Sequence, residues 1–245
     1  MVTFDPKEIF IAIPTRGQPH VECVARLEVI RDENQGLSPI RWVKGGHSVA
    51  SNRNEIVREF LKGPWQHLIM VDDDVAAHPD LLGIAGHGLD IVGAPCLIAR
   101  QEVLVPFPNV FDFREGAFVP AKHAFRPERG LVEVDGIGTG TICLSRKVLE
   151  HPALRVPFQH GFDQDGVIVI TEDLVFCRRV RELGFKIWAD YDRMSDQWVK
   201  VSLLGLQERY SQAMEIYRQR MNASQGIGQV TAPPERRTNG GIILP

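Results

Sequence analysis

Between residues 9 and 97, short apolar runs of strand length alternate with longer stretches whose apolar residues recur at helical spacing, which restricts the chain to an α/β architecture. The run at 9–13 is closed by Pro14-Thr15-Arg16-Gly17, a strand followed by a loop. A helical stretch at 21–30 comes next, then a strand at 39–43 ended by Gly45-Gly46. Ser48 is a cap for a helix whose apolar stripe is Val49, Ile56, Val57, Phe60 and Leu61, and Gly63-Pro64 ends it. A third strand at 67–71 runs into Asp72, Asp73 and Asp74; Pro79 opens a further helix, and 90–97 reads as a fourth strand. This rhythm predicts a mostly parallel sheet, flanked by helices, with right-handed crossovers. Ligands of such sheets bind beyond the carboxyl ends of the strands, where the 14–17 loop and the aspartate triplet both fall.

The second half breaks the rhythm. Residues 102–120 read as short antiparallel pieces turning at Arg114-Glu115-Gly116. A glycine-rich stretch, DGIGTGTICL, precedes a short helix from Ser145. Thr171 caps a helix that Gly184 stops, and 185–189 is another strand. A last helix at 199–221 carries Leu206, Tyr210, Met214, Tyr217 and Met221 on one face, a stripe suited to a core or a docked helix more than to its alternative, a dimer interface. The expected organisation is one domain over 1–222 and a flexible tail over 223–245, rich in proline, glycine and arginine.

Composition narrows the class. With 245 residues, 44% of them hydrophobic, the chain has the material for a sizeable core. A net charge of −3 gives no general attraction to nucleic acid or anionic membrane. Arg126, Arg129, Arg178, Arg179, Arg181, Arg236 and Arg237 are the residues from which a local basic patch for a nucleic-acid acceptor would be built, although solvated helix and tail faces account for them as well. No stretch approaches the roughly 20 apolar residues of a membrane span, and the first residues have no signal-peptide pattern, so a cytoplasmic protein is expected. The four cysteines, Cys23, Cys96, Cys143 and Cys177, lack the spacing of a zinc site or a disulfide framework.

The triplet in HLIMVDDDV carries the chemistry. Three carboxylates where a buried strand leaves the sheet repel one another unless a cation or donors compensate them. Hard oxygen ligands suit Mg²⁺ or Mn²⁺, which commonly bridge one or two carboxylates to a substrate diphosphate. Alternation points Asp72 and Asp74 one way and Asp73 the other, so Asp74 is the first choice for metal contact and Asp72 supports it or holds a ribose hydroxyl. A solvated turn or a helix cap before Pro79 is the structural alternative. A haloacid-type phosphohydrolase would want Thr or Val where Ala76 stands.

In order along residues 9–198, the motifs IAIPTRG, SNRNEIVREFL, IMVDDDV, DIVGAPCL, GTGTICLSRKVLE and TEDLVFCRRVRELGFKIWAD resemble those of the family 2-like GT-A glycosyltransferases. The resemblance implies a Rossmann-like GT-A sheet with a small antiparallel portion, and transfer of a sugar from a nucleotide-diphosphate donor to an acceptor hydroxyl with inversion. It implies a nucleotide-contacting loop at Pro14, Thr15 and Arg16, with Arg53 near the donor phosphates and Asp72 and Asp73 beside the nucleotide. It further implies a sugar-pocket wall at Gly138 and Gly140, and a general base at Asp173 with Glu172 as its rival. Structurally, Glu172 and Asp173 also suit the first turn of a helix. The family's acidic residue after the second strand is replaced by Lys44 and His47, leaving the nucleobase open. Its late metal-binding histidine is missing from WADYDRMSDQW, so Asp196 or Asp192 would substitute, with His160 a weaker choice. A nucleotidyltransferase is the nearest rival, although PTRGQPH is a poor phosphate loop. A non-catalytic nucleotide- or sugar-binding module is the rival from another class. Sugar, base, acceptor, inverting or retaining outcome, the last metal ligand and oligomeric state are not specified by these residues.

Overall fold

The computed structural model describes residues 5–45, 48–98, 106–122, 129–198 and 203–224. Seven strands form the central sheet: β1 (Ile9–Thr15), β2 (Arg41–Lys44), β3 (His67–Val71), β4 (Ile91–Gly93), β5 (Leu131–Val134), β6 (Thr141–Ser145) and β7 (Ile187–Asp190), in the order β5-β7-β4-β6-β3-β1-β2. Strand β1 pairs in parallel with β2 and β3, and β7 with β4. Strand β6 lies antiparallel between β3 and β4, and β5 antiparallel on β7, so five of the seven strands share one direction. The sheet is mostly parallel, as expected.

Both faces of the sheet are covered, which is why β1 and β3 read as continuous apolar runs rather than alternating ones. Phe10, Ala12, Leu68 and Met70 pack with Ile56, Val57 and Phe60 of α2 (Val49–Lys62), Val148 of α3 (Arg146–Leu149) and Phe176 of α4 (Glu172–Glu182). Their neighbours Ile9, Ile11, Ile13, Ile69 and Val71 face the other way, onto Leu27 and Ile30 of α1 (Val21–Glu33) and the 3-10 helix Leu81–His87. Side chains of this size contribute about 2 kcal/mol each on full burial.

Local chemistry sets the boundaries. The Ser48 hydroxyl accepts from the Ser51 amide at 3.1 Å and starts α2. At the other end Arg146 donates to the carbonyls of Gly63 (2.6 Å) and Trp65 (2.7 Å), satisfying groups a helix end leaves open. Gly184, at φ 84°, stops α4 in the left-handed region. The Val110–Arg114 and Ala117–Pro120 hairpin turns at Glu115 and Gly116, both with positive φ, in the manner of a type I′ turn.

Three expectations change. The helix opened by Pro79 is the 3-10 helix Leu81–His87, in a segment where Gly83, Gly86 and Gly88 disfavour a longer α-helix. The fourth strand ends at Gly93, because beyond it the chain leaves the sheet and Leu97–Ile98 pairs with Phe107–Pro108. The helical stretch at 21–30 extends to Glu33.

The chain divides into two compact units, Met1–Lys200 and Val201–Pro245. In the second, α5 spans Leu203–Ser224; Tyr210 and Tyr217 of the apolar stripe are exposed, Met214 is half-buried, and the side chains of Leu206 and Met221 lie outside those described. The tail expected over 223–245 lies outside the described residues beyond Ser224. All four cysteines are free and buried.

Candidate functional site

At the carboxyl ends of β1 and β3 lies a cleft of about 540 Å³. Pro14, Thr15 and Arg16 line it from the end of β1, Arg53 from α2, and Asp72, Asp73 and Asp74 from the end of β3. Gly138 and Gly140 line it from the chain entering β6, and Glu172 and Asp173 from the first turn of α4.

The triplet is anchored by its backbone to three different segments. The amide of Asp72 donates to the Gly140 carbonyl (2.8 Å), while the carbonyls of Asp73 and Asp74 accept from the amides of His20 (2.7 Å) and Trp198 (2.8 Å). The carboxylates then diverge. Asp73 accepts from the Thr15 hydroxyl (2.6 Å) and the Arg16 amide (3.3 Å), which fixes the loop after β1. In that loop Gly17 sits at φ 95° with the Lys44 side chain against it, a position where a Cβ would fall 2.8 Å from the ammonium. Asp74 accepts from the side-chain amide of Gln197 at 3.2 Å. Asp72 accepts from Arg53 at 2.6 Å.

Arg53 is the electrostatic centre of the cleft floor. Its side chain is 4% exposed, and its second terminal nitrogen donates to Glu172, so it bridges β3 to α4. The ring of Phe158 lies 6.0 Å away, and the guanidinium stays cationic because Asp72, Glu172 and Asp173 surround it. The Asp72 carboxyl is raised to about 6, chiefly by burial, with Arg53 opposing the rise and Asp74 and Glu172 adding to it.

The two acids of α4 occupy different environments. Glu172 is buried, paired with Arg53 on one oxygen and 3.5 Å from the His160 ring on the other. Asp173 is half-buried and accepts from the Thr171 hydroxyl and the Leu174 amide.

Asp196 lies outside this cleft. It is exposed, pairs with Ala76 in a short antiparallel bridge, and lines a separate groove with Glu22, Arg26 and Trp198. Asp192 is also outside, accepting from the Gly130 amide at 3.0 Å, and His160 lines a groove next to the cleft. The neighbour Gln197 is the residue that lines the cleft beside Asp74. His47 lies outside the described residues. Of the arginines from which a basic patch would be built, Arg179 donates to the carbonyls of Val156 (2.6 Å) and Pro157 (3.1 Å), and Arg181 pairs with Asp135 at 2.6 Å. Arg126, Arg236 and Arg237 lie outside the described residues.

Three polar residues missed in the sequence also line the cleft. Asn52 donates to the Thr15 carbonyl at 3.2 Å, and Asn109 accepts from the Cys96 amide at 3.0 Å. Thr139 is 2% exposed, and its hydroxyl has no hydrogen-bond partner among the described residues. Asn52 has a faint sequence signal in standing beside Arg53; Asn109 and Thr139 have none, because their importance comes from burial. Among the described residues no group of three His, Cys, Asp or Glu side chains is placed to hold a metal by itself. None of the helices among the described residues is long and apolar enough to cross a membrane.

No protein-family model matches the chain. No curated protein sequence matches it either. Among solved structures it is similar to A197 from STIV, with 18% identity and a TM-score of 0.51 over 79% of this chain and 86% of that one. It is also similar to the inositol-1-phosphate CTP transferase from T. maritima (9% identity, TM-score 0.42, covering 83% of this chain and 96% of that one). A third likeness is to a glycosyltransferase involved in the glycosylation of the major capsid of PBCV-1 (12% identity, TM-score 0.32, covering 58% and 62%). At 18% identity the first likeness shows a shared fold and nothing finer; at their scores the other two carry no argument.

Proposed function

We propose that this chain is a metal-assisted glycosyltransferase that moves a sugar from a nucleoside-diphosphate donor to an acceptor hydroxyl with inversion. The observation that carries the reading is the composition of the cleft: five carboxylates, from Asp72, Asp73, Asp74, Glu172 and Asp173, line one cavity at the carboxyl ends of β1 and β3. Asp73 holds the loop after β1 and Glu172 holds Arg53, contacts that tie distant parts of the fold together. The chemistry is assigned to Asp74, which accepts from Gln197, and to Asp173, whose partners lie within its own helix turn, with Asp72 on Arg53 between the two groups.

The donor set fits a hard divalent cation of the kind that takes one or two carboxylates and completes its shell with substrate phosphates and water. Asp74 and Asp72 would hold Mn²⁺ or Mg²⁺, which when bound neutralises charge growing on the leaving diphosphate. Asp196 has no part in this arrangement, since it faces another groove.

The protein's own contribution is positional. The Pro14–Arg16 segment, pinned by Asp73 and Asn52, offers backbone and the Arg16 side chain to the nucleotide. Gly138 and Gly140 let the wall approach the sugar closely; a Cβ at Gly138 would fall 2.5 Å from the Asn109 amide. Asp173, half-buried and facing the cleft, takes the proton of the acceptor hydroxyl as its oxygen bonds to the anomeric carbon and the bond to the diphosphate breaks. Glu172 holds Arg53 and is the weaker choice as base, because it is buried with one oxygen taken by that ion pair.

The test is calorimetry of UDP, GDP, CDP and TDP, with and without Mn²⁺, on the wild type and Asp74→Ala, with CTP and UTP as further arms. Metal-dependent binding of one diphosphate, lost in Asp74→Ala, supports the donor site. Tighter metal-dependent binding of a triphosphate, with release of pyrophosphate on adding a sugar phosphate, would replace this reading by nucleotidyl transfer. Binding that ignores both metal and Asp74 sinks the assignment.

A further inference from the structure

Next to the cleft runs a second groove of about 650 Å³, lined from the first turns of α2 and from the segment leading towards α4. Its chemistry is the opposite of the cleft's. Arg58, Arg155 and His160 line it, and no carboxylate does, in a chain whose acids outnumber its lysines and arginines. Arg58 and Arg155 are both exposed, and neither side chain makes an ion pair or hydrogen bond among the described residues. The start of α2 adds to the field, because its first turn holds no acidic residue to offset the positive end of the helix dipole.

The groove also has an aromatic wall. Phe162 is 58% exposed, and its ring stands edge-on to that of His160 with centroids 6.2 Å apart. His160 in turn lies 3.5 Å from Glu172, a residue of the cleft. One His–Glu contact therefore separates a basic groove from an acidic cleft. The volume falls in the range of small-molecule sites, about 300–1,000 Å³.

We propose that this groove binds an anionic, ring-bearing small molecule, with its phosphate or carboxylate on Arg58 and Arg155 and its ring against Phe162, and that this molecule is the acceptor. The acceptor role rests on the transferase reading; the anion site does not. A guanidinium fork matches either anion, and an exposed aromatic face matches a sugar or an aromatic ring. The division of labour follows from charge. The acidic cleft takes a diphosphate only with a cation, whereas the groove takes an anion directly. In the transfer step a hydroxyl of the groove-bound molecule gives its proton to Asp173, its oxygen bonds to the anomeric carbon, and the donor diphosphate leaves.

The experiment is calorimetry on the full chain with phenyl phosphate, benzoate, inorganic phosphate and neutral benzyl alcohol as probes. Phenyl phosphate or benzoate is expected to bind, and which is tighter names the anion; benzyl alcohol is expected not to bind. The Arg58→Ala, Arg155→Ala double variant, substituted at two exposed positions, should lose about tenfold or more in affinity for the anionic probe. Phe162→Ala should weaken phenyl phosphate but not inorganic phosphate. Asp74→Ala should leave phenyl phosphate binding intact while abolishing metal-dependent nucleotide binding, and the double variant should do the reverse. Equal binding of the anionic probe to wild type and double variant, or equal binding of benzyl alcohol, overturns the site. If the groove binds its anion and no nucleotide binds the cleft, the acceptor role falls and the anion site stands alone. If a nucleotide binds the cleft and no anion binds the groove, the donor site stands and this inference falls.

Discussion

Arg53 donates to Asp72 at 2.6 Å and to Glu172 with its other terminal nitrogen, so one buried cation holds the end of β3 to the first turn of α4. Removing it would leave the buried Glu172 and the part-exposed Asp72 without their counter-ion. Arg53→Ala should destabilise the protein by about 3 kcal/mol at neutral pH, the usual cost of breaking a buried pair from one side. Neutralising a partner should return part of the loss, so Arg53→Met with Glu172→Gln should be more stable than Arg53→Met alone. Urea denaturation of the three variants checks this, and equal stability of wild type and Arg53→Ala would show that the bridge is not a structural element.

Asp173 and Glu172 are adjacent in sequence but should separate in their effects. Asp173→Asn should lower the transfer rate by about 10²–10⁴-fold, the range for loss of a general base, with donor binding and stability near those of the wild type. Glu172→Gln should act mainly on stability and on the position of Arg53. The check is a single-turnover transfer assay, once a donor is known, beside thermal unfolding of both variants. A larger rate loss for Glu172→Gln in a fully folded protein would exchange the two roles.

The contrast between these residues marks what the sequence can carry. Strands β1 and β3 were legible because burial on both faces makes each a continuous apolar run, and α2 because its cap, stripe and glycine stop all agree. Strand β4 reads too long in the sequence, since the apolar run continues through 97 while the last bond to the sheet is that of the Ala94 amide to the Thr141 carbonyl, and Cys96 already bridges to Ser195 outside the sheet. Within the site, the cleft residues from 14 to 173 fall together because they stand at strand ends and helix starts, positions that patterning locates. Asp196 and Gln197 are different. They sit in a two-residue extended pair where successive side chains face opposite ways, and no pattern that short has a phase that can be read. The partners of Arg53 lie 19 and 119 residues away, separations at which pairing is a property of the fold.

Thr139 offers a test that stability and binding answer in opposite directions. Its hydroxyl lines the cleft, is nearly fully buried, and has no partner among the described residues. A buried hydroxyl that finds no partner costs the free protein desolvation, and a ligand oxygen or amide would restore what is lost. Thr139→Val should therefore stabilise the ligand-free protein by about 1 kcal/mol and weaken the bound sugar nucleotide by a similar amount. Thermal unfolding with and without the ligand reads both. Loss of stability in Thr139→Val would mean that the hydroxyl already has a partner, and unchanged affinity would remove it from the binding wall.

Asp72 gives the pH dependence its sign. Its carboxyl is raised from 3.8 to about 6, with burial the largest cause and Arg53 opposing it. In the metal-free protein the native state thus binds its proton more tightly than the unfolded chain does. Between those two values the native state carries more protons, so the contribution of this residue to stability is complete below the lower value and is lost as pH rises through the upper one. Asp72→Asn has no proton to lose. Comparing the two by urea denaturation at about pH 4 and about pH 7, the balance should move toward the variant by about 2 kcal/mol as pH rises. Titrating groups far from Asp72 are common to both proteins and cancel in the difference. Adding Mn²⁺ with the bound nucleotide should reduce the shift, because a cation beside Asp72 favours the ionised carboxylate. Parallel pH profiles for wild type and variant would show that the Asp72 carboxyl is not raised in the folded protein, and that the cleft floor is better hydrated than its geometry implies.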